Sequence, residues 1–147
     1  ERIPFFAHIG TTTINTTLKR FKFDAKINGG PQQKILDVYN ANIRQFKNLD
    51  LELLEDLLNA QRINDTSKVE LIKSQRVKNL KRQYLFSINF AVNNKSSEIA
   101  PYIALSDLYD TKKRYLDTIY NGLTPAIASS KYGLILENFI KNLGSVE

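Results

Sequence analysis

An α+β fold, mostly α, is what this sequence predicts: a small N-terminal antiparallel sheet of about three strands, then a helical bundle containing a long helical hairpin. Three observations carry that prediction. Residues 21–27 alternate apolar and charged with a period of two, apolar residues from 35 onward recur every three or four positions, and Asn28-Gly29-Gly30-Pro31 separates the two regimes. The break divides the chain into residues 1–30, the end of a small β domain, and residues 31–147, a helical domain expected to pack on it as one compact unit. At 147 residues, with 42% hydrophobic and 24% charged side chains, the chain is long enough to bury a core without disulfides or metals.

In the N-terminal part, Phe21, Phe23, Ala25 and Ile27 alternate with Lys22, Asp24 and Lys26, which puts the aromatic rings on one face of a strand and the charges in water. Residues 11–18 are rich in threonine, with Ile14, Thr16 and Leu18 on one face, and Gly10 separates them from an apolar run over residues 3–9. A three-strand meander follows from these breaks. So small a sheet needs its apolar face covered, and the helices that follow are expected to cover it.

Pro31 suits the first turn of a helix, where its missing N–H is not needed. Ile35, Tyr39, Ile43, Phe46, Leu49, Leu53 and Leu57 then step by three or four, predicting one long helix over residues 32–62 with a bend or split at Asn48-Leu49-Asp50. Asn64-Asp65-Thr66-Ser67 supplies a turn, and Ser67 with Glu70 has capping-box spacing for a second long helix. That helix directs Val69, Ile72, Leu80, Tyr84, Ile88 and Ala91 to a core and stops at residues 93–97. Beyond it, a short helix contains Pro101 and is capped by Ser96 or Ser97, and another is capped by Asp110 or Thr111 and reaches Gly122. Thr124-Pro125 and Ser129-Ser130 mark two further starts. The last helix, residues 131–143, places Tyr132, Ile135, Leu136, Phe139, Ile140 and Leu143 on one face and ends at Gly144.

The absence of cysteine excludes a disulfide framework, a thiolate zinc site, an iron-sulfur cluster and thiol chemistry within this chain. With His8 the sole imidazole, His-pair metal sites and the H-E-x-x-H pattern are excluded as well, and no triad partner stands beside it. A strand histidine is the expectation there. No cofactor or metal site is predicted. Apolar stretches such as residues 99–105 fall far below the roughly 18 residues that a membrane span needs, so no membrane insertion is expected. Starting at Glu1 without any methionine, the chain reads as a fragment or a processed product.

Twenty-one Lys and Arg against 15 Asp and Glu give a net charge of +6, which permits an acidic partner. Lys68, Lys73, Arg76, Lys78, Lys81 and Arg82 form the densest basic cluster, yet at about 100° per residue they sweep most of a helix circumference. A solvated helix surface is the expectation, and nucleic acid binding through residues 68–82 is the lesser alternative. Tyr84, Phe86 and Phe90 on the same helix read as core. Glu52, Glu55 and Asp56 alternate with leucines as an exposed helix face does. Gly29 and Gly30 lack the spacing of a phosphate loop and read as a turn. Tyr102, Tyr109, Tyr115, Tyr120 and Tyr132 recur through the later helices, where large amphipathic rings join helices or line a partner surface.

The stretch Ala25-Lys26-Ile27-Asn28-Gly29-Gly30 with Gln32 and Gln33 is similar to a last strand running into a long helix. Ser97 with Pro101-Tyr102-Ile103-Ala104-Leu105 is similar to a helix start, and Leu123-Thr124-Pro125 with Ser130-Lys131-Tyr132-Gly133, Leu136 and Phe139 to a closing turn and final helix. In that order these features resemble the N-terminal region of TlpA/ResA-like thiol-disulfide oxidoreductases of the Bacteroidetes type. The resemblance implies a small β domain, a helical segment, a linker and then a thioredoxin domain carrying the C-x-x-C centre. This chain has no such pair, so no catalytic residue carries over, and Leu143-Gly144-Ser145-Val146-Glu147 falls where the linker would begin. The expectation is a non-catalytic accessory domain of an envelope or periplasmic oxidoreductase that positions or dimerises the redox domain, or holds substrate protein. A protein partner, the missing thioredoxin domain or a second copy would be its partner. The alternative from the residues alone is a freestanding helical protein-interaction module.

Overall fold

The computed structural model describes residues 2–143, and they are mostly helical. Two strands, β1 (Thr13–Asn15) and β2 (Lys26–Asn28), precede six helices: α1 (Pro31–Arg62), α2 (Thr66–Asn93), α3 (Ile99–Asp107), α4 (Lys113–Gly122), α5 (Pro125–Ala128) and α6 (Lys131–Leu143). The contacts gather into two units, Glu1–Asn40 and Ala41–Glu147, and α1 runs from one into the other. The expected end of the last helix at Gly144, and the linker expected over residues 143–147, reach beyond the described residues.

In the first unit, β1 and β2 are antiparallel, with Ile14 opposite Ile27. The meander expected from the sequence is reduced to this pair. Residues 18–24 form turns, because Thr17 accepts a hydrogen bond from the Arg20 N–H at 3.3 Å and donates to Asp24 at 2.6 Å, while the Asp24 N–H bonds the Arg20 carbonyl at 2.8 Å. Such local bonds compete with a strand ladder. The period-two pattern therefore serves the sheet only at Lys26 and Ile27, and Phe23 is 78% exposed. Residues 3–9 form no strand either: the Phe6 N–H bonds the Gln33 side chain at 2.7 Å.

His8 lies in this irregular segment, where its Nδ1 accepts the Gly30 N–H at 3.2 Å just ahead of α1. A Cβ on Gly30 would stand 2.6 Å from His8 Cγ. Gly30 is therefore required by the close approach of the ring.

The second unit begins with the rest of α1, which continues through Asn48-Leu49-Asp50 without a break. Its end is a Schellman turn. Asn64 takes the left-handed conformation at φ 57°, its N–H bonds the Gln61 carbonyl, and the Asp65 N–H bonds the Ala60 carbonyl. Asp65 then caps α2 by accepting the Lys68 N–H at 3.0 Å. The expected Ser67 and Glu70 box does not form, since Ser67 is already helical and Glu70 pairs with Lys73. At the tip of the hairpin, Leu57, Ala60 and Ile72 make a small core with Leu53, Leu54 and Val69 against it.

At the other end of α2, Ser87, Ile88 and Ala91 are buried, and α2 packs against α3 and α4, with α6 completing the bundle. Ile99, Ala100, Ile103, Ala104, Leu108, Leu116 and Leu136 are fully buried there. The N-cap of α3 is Glu98, without a side-chain cap bond, and not the expected Ser96 or Ser97; Ser97 Oγ instead accepts the Ile99 N–H at 3.1 Å from one position upstream. The expected caps on α4 do other work: Asp110 accepts the Tyr84 hydroxyl at 2.9 Å, and Thr111 donates to the Leu108 carbonyl. Pro125 opens α5, and Ser130 accepts the Gly133 N–H at the start of α6.

Gly133 holds α5 and α6 together. A Cβ there would lie 2.2 Å from the Ile127 carbonyl oxygen and 2.4 Å from that of Ala128, both backbone atoms, whereas a Cβ on Gly122 meets nothing within 4 Å. Gly133→Ala is therefore expected to cost about 1–3 kcal/mol through overpacking. Gly122→Ala should be neutral or stabilise by up to about 1 kcal/mol. Urea denaturation of both variants measures the contrast.

Candidate functional site

Midway along the hairpin the positions that face the partner helix turn polar. Asn79, 5% exposed, donates from Nδ2 to the Phe46 carbonyl at 2.9 Å. Arg76 meets Asp50 through two hydrogen bonds, Nε to Oδ1 at 2.8 Å and Nη2 to Oδ2 at 2.9 Å. This fork geometry suits a guanidinium and a carboxylate. The hydrogen bond from Arg76 holds the Asp50 carboxyl below the usual carboxylate range, and the Arg76 guanidinium is correspondingly raised.

Because the inward positions are polar here, nearby apolar residues lie on the flanks. Leu49, assigned to the core by its spacing, is 41% exposed, and Leu80 is 51% exposed while its neighbour Asn79 is buried. An open groove of about 760 Å³ runs along one flank, lined by Lys47, Asp50 and Leu51 of α1 and by Lys73, Arg76, Val77, Asn79, Leu80 and Gln83 of α2. Leu51 and Val77 are 63% and 67% exposed. The lining spans residues 73 to 83 of α2, which is about 15 Å of helix. A second, smaller depression by the hairpin turn, lined by Gln61, Asn64, Thr66, Val69, Glu70 and Lys73, shares Lys73 with the groove.

The six basic residues of α2 do not share one face. Lys73 and Arg76 line the groove, and Lys78 stands about 160° around the helix axis from Arg76. Lys68, Lys78, Lys81 and Arg82 are exposed, while Lys73 bonds Glu70 at 2.8 Å and Arg76 bonds Asp50.

The tyrosines are likewise dispersed. Tyr102 packs edge-on against Tyr132 with centroids 5.5 Å apart, and burial, with Asp107 and Tyr132 nearby, raises its pKa. Tyr109 is exposed. Tyr115 lies under the Arg114 guanidinium at 4.8 Å and is half-buried, as is Tyr120. On α4, Tyr115 and Tyr120 are about 140° apart around the axis, so these two do not form one surface.

Sequence reasoning missed Lys47, Leu51 and Val77 as groove residues and placed Leu80 in the core. The available signal was an excess of apolar residues on both helices, lying about 100° off the buried stripe. Among the described residues no group of three or more His, Cys, Asp or Glu is arranged to hold a metal, and no helix is long and apolar enough to cross a membrane. Comparison with family models, curated proteins and solved structures gives no significant match.

Two outcomes test the polar layer. Asn79→Asp puts a carboxylate against the Phe46 carbonyl, and chemical denaturation at neutral pH should show a loss of at least about 2 kcal/mol. Asp50 has a folded pKa below its unfolded one, so the stability contributed by its pair is present above the ordinary value of 3.8 and is lost as pH falls through the lower, folded pKa. Asp50→Asn should accordingly be less stable than the parent at neutral pH, with the difference shrinking in that acid range; thermal melts from pH 7 down to acid show whether it does.

Proposed function

We propose that this chain is a non-catalytic helical module that holds another protein along the flank of its α1–α2 hairpin. The observation that carries the reading is the groove in which Leu51, Val77 and Leu80 stand exposed side by side above a polar, ion-paired floor. Contiguous apolar side chains rimmed by charge are the usual chemistry of a protein-binding surface. The floor favours it too. Asn79 and the Arg76–Asp50 pair supply directional groups beneath the apolar rim and tie α2 to α1.

The resemblance to the N-terminal region of TlpA/ResA-like oxidoreductases provides the setting. In it, the module is the accessory part of an envelope thiol-disulfide oxidoreductase and holds substrate protein for a thioredoxin domain. What supports this setting is the long helix that starts at Pro31, together with helices beginning near Pro101 and at Pro125 and Lys131. The dispersion of the α2 cations around the helix gives the nucleic-acid reading less support.

A photo-crosslinking residue at Val77, with Ile135 on α6 as the exposed control, tests the reading in the native host. Adducts of discrete mass are expected from position 77 and not from 135. Equal yields at both sites would remove the protein-holding role. The setting is tested separately by the encoding DNA, where a C-x-x-C between a strand and a helix is expected downstream of residue 147 and an immediate stop codon would leave the freestanding module.

A further inference from the structure

We infer that the occupant of the α1–α2 groove is an acidic amphipathic helix of a partner protein, an inference that rests on the protein-holding reading above. The shape of the groove sets the first requirement. Its floor and walls are two antiparallel helices, its lining runs along about 15 Å of α2, and exposed Leu51, Val77 and Leu80 form an apolar patch at its centre. That length accepts two to three turns of a third helix laid between the two, whose apolar residues at i, i+4 and i+7 fall into one row.

Charge sets the second requirement. Lys47 of α1 and Lys73 of α2 are cations of the lining, Arg76 is paired in the floor with Asp50, and Asp50 is the one carboxylate in the lining. Glu70, which bonds Lys73 at the far end, leaves the margin still net positive. Lys68, Lys78, Lys81 and Arg82 lie outside the lining and add only to the long-range field of a chain that carries +6. A partner helix with carboxylates flanking its apolar row therefore meets complementary charge on both sides.

The same distribution argues against two other occupants. In a symmetric dimer two copies of the same net-positive lining would face each other, which is less favourable than an acidic partner. A nucleic acid would satisfy the cations but would leave Leu51, Val77 and Leu80 against phosphate and water, without the base stacking that aromatic side chains provide.

The test uses the full chain and two fluorescein-labelled synthetic amphipathic helices of about 18 residues, each with leucine at i, i+4 and i+7 and with either glutamate or lysine at every flanking position. Fluorescence anisotropy is expected to show saturable micromolar binding of the glutamate peptide, tighter than the lysine peptide by about tenfold or more. Leu80→Asp, at an exposed position, should weaken the glutamate peptide by at least about tenfold with an unchanged circular dichroism spectrum. The double variant Lys47→Glu, Lys73→Glu should invert the preference between the two peptides.

If the lysine peptide binds as well or better and still depends on Leu80, the acidic occupant is wrong and the protein-holding groove stands. If neither peptide binds, the inference falls, and if no adduct forms at position 77 either, the protein-holding reading falls with it. A dimer in sedimentation that Leu80→Asp dissolves would make a second copy the occupant. A single-stranded oligonucleotide that displaces the glutamate peptide and is itself indifferent to Leu80→Asp would make the face a polyanion site. Either of these last two results overturns the inference.

Discussion

Helix α2 has different partners along its length, and residues 41–143 are organised around that constraint. Near its start Val69 and Ile72 pack with α1, and near its end Ser87, Ile88 and Ala91 are buried where it meets α3 and α4. One continuous helix facing two sets of partners rotates its buried stripe between them. Around Asn79 the inward position is an amide on the Phe46 carbonyl, and Val77 and Leu80 fall to the side. The groove is thus a consequence of the handover and sits where neither set of partners covers the helix.

The polar layer at the handover also fixes register. A leucine layer tolerates sliding of one helix against another, whereas the Arg76 fork on Asp50 and the Asn79 amide on one particular carbonyl are satisfied in a single alignment. The pair is partly exposed, so its net contribution to stability is modest. Its larger effect is to hold the two helices that line the groove at a defined alignment.

The helical part was readable because long amphipathic segments and their punctuation are local properties. Pro31 at the start of α1, the reversal at Asn64 and Asp65, Pro125 opening α5 and the span of α6 all follow from residues within one or two turns of each other. In residues 1–30 the antiparallel sheet is present but has two short strands and not three, for a related reason. Alternation over Phe21 to Ile27 is a strand signal only where a sheet face needs it, and the hydroxyl of Thr17 with the carboxylate of Asp24 stabilises turns there instead. The groove was illegible because Leu80 satisfies the spacing rule for a core position while its actual environment depends on where α1 lies.

Composition and short-range pattern by themselves determined a mostly helical chain, the long hairpin, the turn that closes it and the absence of thiol chemistry within these residues. Tertiary structure alone decided which face of α2 is buried at each level, that Asn79 rather than Leu80 points inward, that Gly30 makes room for His8 and Gly133 for the carbonyls of α5, and that Lys47, Leu51 and Val77 share one surface. The physical reason is that helix formation is dominated by interactions within a few residues, whereas burial is set by neighbours 20 to 40 residues away, which periodicity does not identify.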